Sequence, residues 1–164
     1  MKNQDYTNTF TVDQAPQDVF KAISNPRGWW SEEIQGDTDK LGAVFFYSYK
    51  DVHRGTFKVT EFRPGERIAW HVLQNYLSFV EDTTEWTGTD IIFDLSRDGG
   101  KTKVRFTHLG LNPGEQCYDA CHEGWGFYVG TSLRELITKG RGQPNQQDEL
   151  AENNPVKKSA LRSP

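Results

Sequence analysis

Apolar and polar residues alternate along six segments of the chain, and a period of two is typical of half-buried β-strands. In the first segment Tyr6, Asn8, Phe10 and Val12 share one face, while threonines occupy the other face. The six predicted strands are Tyr6–Asp13, Ala43–Tyr49, His53–Phe62, Arg67–Leu73, Thr89–Arg97 and Thr102–Leu109.

Two short helices are predicted between the first and second strands. Pro16 suits the first turn of a helix, because the N–H that proline lacks has no partner there in any case. Asn25 and Pro26 repeat this start signal, with Asn25 as the N-cap, and the second helix ends at Trp29 and Trp30.

A helical period replaces the strand period after the sixth strand and predicts one long helix from Pro113 to Lys139. Asn112 is its predicted N-cap, and Glu115 completes a start that resembles a capping box. The residues of its inward stripe are Cys117, Cys121, Trp125, Tyr128, Ser132 and Leu136. About 27 residues make a helix about 40 Å long, which is enough to cross a small sheet.

Two segments show neither period. Gln74–Gly88 is predicted to be a long loop or a ragged hairpin end, with Trp86 at the surface. Gln143–Pro164 follows a glycine-rich helix stop and has almost no apolar residues, so it cannot bury enough surface to fold. The sequence therefore predicts one domain over residues 1–142 and a disordered tail over residues 143–164.

Composition and charge narrow the class of protein. Aromatic residues make up 13% of the 164 residues although the hydrophobic fraction is only 35%, so rings must supply much of the buried surface. A net charge of −4 lacks the basic footprint of a protein that binds nucleic acid or an anionic membrane. The absence of a membrane-length apolar run, a signal peptide and a disulfide framework predicts a soluble, cytoplasmic protein.

The order of the elements resembles the helix-grip fold of the START-like (SRPBCC) superfamily. Within it, the chain resembles homologues of the C-terminal domain of heat-shock ATPase activators, often labelled polyketide cyclase-like. The motifs that carry this resemblance are Phe10–Val12, Ala15–Phe20, Trp29-Trp30, Phe62–Trp70, Thr107–Leu111 and Trp125. The resemblance implies an α+β fold in which a curled antiparallel six-stranded sheet surrounds the long C-terminal helix.

A sheet that curls around a helix encloses space, so the predicted function is binding of a small hydrophobic or aromatic molecule in an internal cavity, without a cofactor. The predicted lining is Trp30, Tyr47, Phe57, Trp70, Phe93, Phe106, His108, Cys121, Trp125 and Tyr128. One alternative is a cyclase- or dehydratase-like enzyme with His108 as acid/base beside Tyr47 or Tyr128. The resemblance implies the other alternative, a module that interacts with a chaperone. His53 and His71 are interpreted as surface or rim residues.

Cys117 and Cys121 lie one helical turn apart and are candidate metal ligands, with His108 or His122 beside them. Structural zinc sites normally combine such a pair with a second pair, and this sequence has no further cysteine. The two thiols are therefore interpreted as small buried hydrophobic groups, and no metal is predicted.

Overall fold

Six antiparallel strands form one sheet in the order β1-β6-β5-β4-β3-β2 in the computed structural model, which describes residues 5–145. The strands are β1 Tyr6–Val12, β2 Val44–Tyr49, β3 His53–Arg63, β4 Arg67–Leu77, β5 Asp90–Asp98 and β6 Lys101–Leu109. Strands β2 to β6 are joined in sequence order, whereas β1 pairs with β6 from Tyr6 opposite His108 to Val12 opposite Thr102.

A short α-helix and a 3₁₀ turn connect β1 to β2, and a long terminal helix follows β6. Helix α1 spans Pro16–Ile23, and a 3₁₀ turn spans Pro26–Gly28; both begin at proline, as the sequence predicts. The terminal helix consists of α2 Tyr118–Phe127, a π-helical segment Tyr128–Leu133 and α3 Arg134–Lys139. It ends at Gly140, whose φ of 80° is a left-handed conformation that glycine adopts at no steric cost.

The alternation in the sequence becomes a buried and an exposed side of the sheet. In β6, Thr102, Val104, Phe106 and His108 are buried, and the residues between them are more exposed. Two register irregularities between β3 and β4 are β-bulges, which bend strands and increase their twist. The predicted α+β helix-grip architecture, a curled six-stranded antiparallel sheet with a long C-terminal helix, is confirmed.

Two element boundaries differ from the prediction by more than two residues. Strand β4 continues past Leu73 to Leu77. A register shift at Leu73 interrupts its period of two, so the inward positions change from Trp70 and Val72 to Asn75 and Leu77. The long helix begins at Tyr118 rather than Pro113. The side chain of Asn112 does not cap it but accepts a hydrogen bond from the Gly114 N–H, at 3.1 Å.

Contacts continue beyond the helix stop. Asn145 is buried; its backbone N–H donates to the Trp30 carbonyl at 3.0 Å, and its side-chain oxygen accepts from the Ser31 hydroxyl at 2.6 Å. The Gln143 N–H donates to Ser132 Oγ at 2.6 Å. The rest of the predicted tail, residues 146–164, lies outside the described residues. Within residues 5–145, no helix has the length and apolar character needed to cross a bilayer.

Candidate functional site

The ten residues predicted to line a cavity come together between the sheet and the terminal helix, and all of them are buried. The strands supply six of them from their inner faces, and the terminal helix supplies Cys121, Trp125 and Tyr128. Trp30 enters from the segment after the 3₁₀ turn. Sequence periodicity was sufficient to find these side chains because each lies on the apolar face of a regular element or beside one.

Their rings pack against one another. Trp30 lies at the centre, with its ring centroid 4.3 Å from Tyr47, 5.1 Å from Trp125 and 6.0 Å from Trp70. A second chain of ring contacts runs from Trp70 through Phe93 and Phe106 to Trp125, at 5.2, 5.1 and 4.8 Å. At these separations no molecule fits between the rings, so the middle of the grip is an aromatic core.

His108 is fully buried, and both of its ring nitrogens are hydrogen-bonded. The indole N–H of Trp125 can only donate, so Nδ1 of His108 accepts it, at 3.1 Å. The Thr89 hydroxyl donates to the Trp86 carbonyl at 2.6 Å and therefore accepts from His108 Nε2, at 2.8 Å. Burial lowers the pKa of His108 to about 3. These bonds fix a neutral Nε2–H tautomer, which is unsuited to proton transfer with a substrate near neutral pH.

His53 was expected at the surface or rim, and this prediction is wrong. Its side chain is fully buried at the start of β3, because residues 53, 55, 57 and 59 all turn to the inner face. Neither ring nitrogen has a hydrogen-bond partner. Burial, and then the proximity of His108, lower the pKa of His53 to about 3. The ring of His53 stands edge-on to two aromatic rings, Tyr47 at 4.9 Å and Trp86 at 4.7 Å.

Trp86 was also expected at the surface, and it too is buried, with 1% of its area exposed. It lies in the β4–β5 loop, residues 78–89, and its indole points inward. The indole stacks on Trp125 at 5.6 Å and stands edge-on to His53 and to His108, at 4.7 and 4.6 Å. We call His53, Asn75, Trp86 and His108 the histidine end of the grip.

The β4–β5 loop is attached to the start of the terminal helix. The carboxylate of Glu85 accepts hydrogen bonds from the N–H groups of Gln116 and Cys117, at 2.6 and 2.8 Å. A negative charge is favourable at a helix N-terminus, where free N–H groups and the helix dipole meet. The Asp82 N–H adds a bond to Gln116 Oε1, at 2.9 Å. Glu85 therefore holds the turn that leads into the helix, whose N-cap residue Cys117 makes no side-chain capping bond.

Asn75 connects the same loop to the sheet. Its side-chain oxygen accepts from the Thr87 hydroxyl at 2.8 Å, and its backbone N–H donates to that hydroxyl at 3.2 Å. The side-chain amide nitrogen of Asn75 is buried without a hydrogen-bond partner. Asn75, Tyr47 and Thr87 also border an open groove of about 720 Å³ beside β2, β3 and β4. Outward-facing residues such as Phe46, Thr56 and Gln74 make up most of the lining, so this groove lies on the outer face of the sheet.

The two other candidate acid/base groups are also buried. Burial raises the pKa of Tyr47 well above its ordinary value, and it raises the pKa of Tyr128 as well. Burial likewise raises the pKa of Cys121, so its thiol is protonated at neutral pH. Cys117 and Cys121 are both free and buried. Among residues 5–145, no group of three or more His, Cys, Asp or Glu side chains could hold a metal ion.

The curled sheet closed on a long terminal helix, with an aromatic interior, defines a helix-grip protein of the START-like class. Residues 13–138 match the family model described as Activator of Hsp90 ATPase homolog 1-like protein. The chain belongs to this family, which confirms the resemblance found in the sequence. A search of curated proteins with the sequence gives no match.

Solved structures share this fold at low sequence identity. The solution structure of the Aha1 dimer from Colwellia psychrerythraea is 23% identical, with a TM-score of 0.68 over 87% of this chain and 100% of that one. DynU16, a putative protein in the dynemicin biosynthetic locus, is 14% identical, with a TM-score of 0.64 over 89% of this chain and 52% of its own. CalU16 from Micromonospora echinospora is 16% identical, with a TM-score of 0.57 over 82% and 76%.

Proposed function

We propose that this protein binds a small, flat, uncharged aromatic molecule with one polar group at the histidine end of the grip. The observation that carries the proposal is the ring of His53, which is fully buried and has no hydrogen bond at either nitrogen. A buried polar group without a partner costs about 1–3 kcal/mol, and a bound molecule that supplies the partner recovers this cost.

The chemistry of the surroundings selects the kind of molecule. A neutral imidazole offers one donor and one acceptor, which suits a hydroxyl or an amide group. The neighbouring rings of Tyr47, Trp86 and Trp125 offer flat apolar surfaces, on which aromatic molecules stack. These neighbours carry no positive charge, so an anion would lose its hydration without gaining an ion pair. DynU16, which has the same fold, is described as a putative protein in a biosynthetic locus, and this agrees with a small-molecule ligand.

A matched pair of probes tests the proposal. The protein is titrated with 2-naphthol and with naphthalene, followed by calorimetry and by the indole N–H signals in NMR spectra. One additional hydrogen bond to His53 should favour 2-naphthol by about 3- to 10-fold. His53→Phe should remove this preference, and His71→Phe, the same change at a half-exposed histidine on the other side of the sheet, should keep it. An equal preference in the wild type and in His53→Phe, or no binding of either probe, would contradict the proposal.

A chaperone-binding surface is the second candidate, and one observation favours it. Val44, Phe46 and Leu73 are 37%, 50% and 42% exposed on the outer side of β2 and β4. Exposed apolar side chains that lie close together commonly mark protein contacts. If this surface meets an Hsp90, Phe46→Ser with Leu73→Ser should abolish stimulation of the Hsp90 ATPase but leave 2-naphthol binding unchanged. No stimulation by the unaltered protein would exclude this candidate.

A further inference from the structure

We infer that the indole of Trp86 occupies the ligand site in the free protein, and that the β4–β5 loop is a lid that withdraws it when a ligand binds. This inference rests on the function proposed above. In the free protein Trp86 fills the site, a ligand of similar size replaces it, and the β4–β5 loop is the part of the chain that moves.

Trp86 is the tryptophan of the histidine end that lies on a loop. Trp70 projects from β4 and Trp125 from α2, so regular hydrogen-bonded elements hold both. Trp86 reaches the same interior from a segment without helix or strand. Loops open at a lower free energy than core strands or helices. Trp86 is therefore the ring of the histidine end that can leave while the sheet and helix stay intact.

Polar groups beside Trp86 remain without hydrogen-bond partners. Its indole lies edge-on against the His53 ring, yet neither His53 nitrogen has a hydrogen-bond partner. The amide nitrogen of Asn75, beside the same loop, also lacks a partner. Trp86 thus has the shape for this place without the matching polar groups. A ligand of similar size that carries a hydroxyl or amide would fill the same volume and satisfy these atoms.

A few hydrogen bonds hold the β4–β5 loop in its closed position. Glu85, the residue before Trp86, bonds the N–H groups of Gln116 and Cys117 at an exposed to partly buried position. The Asn75–Thr87 bonds and the bond from the Gly88 N–H to the Val72 carbonyl, at 2.9 Å, also hold the loop. Water can replace each of these bonds when the loop opens, so each contributes little net stability to the closed position. The loop itself faces solvent, so its opening exposes the histidine end without any change in the sheet.

The expected ligand has about the size of indole. This ligand takes the place of the Trp86 indole, whose plane lies at 13° to that of Trp125, and directs its polar group toward His53. A flat bicyclic phenol or amide meets these conditions, whereas a long-chain lipid does not.

The affinity of Trp86→Ala for 2-naphthol tests the inference, because it should rise if Trp86 occupies the site and fall if Trp86 only lines it. If the indole occupies the site, its removal leaves the site free, and Trp86→Ala should bind 2-naphthol at least about 10-fold more tightly than the wild type does. Removing a lining ring would weaken binding, which is the expected result for Trp125→Phe. Unchanged or weaker binding by Trp86→Ala, while the wild type still binds, would overturn this inference and leave the proposed function intact. No binding by either protein would overturn both.

Two further measurements avoid the risk that Trp86→Ala does not fold. Glu85→Gln should tighten 2-naphthol binding by about 2- to 5-fold because it weakens the lid fastening. Glu81→Gln, the same change four residues earlier in the loop, should have no effect. In protein labelled with 5-fluorotryptophan, 2-naphthol should move the fluorine signal of Trp86 to a solvent-exposed position and leave that of Trp70 buried. Binding that keeps the Trp86 signal buried would contradict the lid.

Discussion

Acidification should destabilise this protein strongly, because two fully buried histidines gain protons when the chain unfolds. Burial lowers the pKa values of His53 and His108 to about 3 in the folded protein, against an ordinary value of 6.5. The folded state therefore favours the neutral ring, and the unfolded chain takes up the proton first. The full stability is present above pH 6.5 and is lost as the pH falls toward 3.

The size of the effect follows from the two pKa values. Between pH 7 and pH 5, each histidine should remove about 2 kcal/mol from the free energy of unfolding, or about 4 kcal/mol together. Below pH 5 each continues to remove about 1.4 kcal/mol per pH unit until the folded pKa is reached. A typical domain has only about 5–15 kcal/mol in total, so the protein should approach unfolding in mild acid.

Urea denaturation from pH 7 to pH 5, followed by tryptophan fluorescence, measures this loss directly. His53→Phe should show about half of the wild-type pH dependence, because one of the two protons is no longer taken up. At pH 7 this variant should be at least as stable as the wild type, since phenylalanine has no polar atoms to leave unpaired. Tyr47→Phe changes a neighbouring buried ring without removing a histidine and should keep the full dependence.

Two results would refute the reasoning about His53. If the wild type and His53→Phe lose stability in parallel between pH 7 and pH 5, His53 is not a neutral buried group. If the wild type loses less than about 1 kcal/mol over this range, neither histidine has the burial that the structure gives it.

The remaining predictions concern the C-terminal contacts and the thiols. Ending the chain after Gly142 removes the bonds of Asn145 and should lower the free energy of unfolding by about 1–3 kcal/mol, whereas ending it after Asn145 keeps every described contact. Equal urea midpoints for the two truncations would show that Asn145 contributes nothing. Replacing Cys117 and Cys121 by alanine should cost about 1–3 kcal/mol through small cavities and should not change metal content measured by mass spectrometry. Stoichiometric zinc in the unaltered protein would contradict the packing role of the thiols.

The fold was predictable because most of its elements follow local patterns. The alternation around Phe10 and Phe106 identifies strands, and the prolines at 16 and 26 identify helix starts, without any knowledge of distant residues. The predicted start of the terminal helix was wrong because the true start depends on residues that are distant in the sequence. Local rules favour Asn112 as its cap, but the helix begins at Tyr118. The turn before it is held by Glu85, which lies 31 residues before Gln116.

The candidate site was predictable only in part. Trp125 and Tyr128 lie on an amphipathic stripe, so their burial follows from the helical period. His53 begins a strand after a turn, and Trp86 stands among polar residues in a loop without periodicity. Their burial depends on each other and on Trp125, and contacts between such distant positions leave no local pattern. The size of the Trp86 side chain was the one signal that favoured burial over exposure.

The pairing of β1 with β6 places the first strand beside the last one. Tyr6 meets His108 across about 100 residues of intervening chain, and β6 is the strand that pairs with β1. During synthesis β1 therefore emerges long before its partner exists, while β2 to β5 can already form hairpins. Contacts this distant in sequence slow folding, because a large loop must close before they form. Strand β1 should thus stay unpaired during synthesis until β6 has emerged, and completing the sheet is a late step of folding.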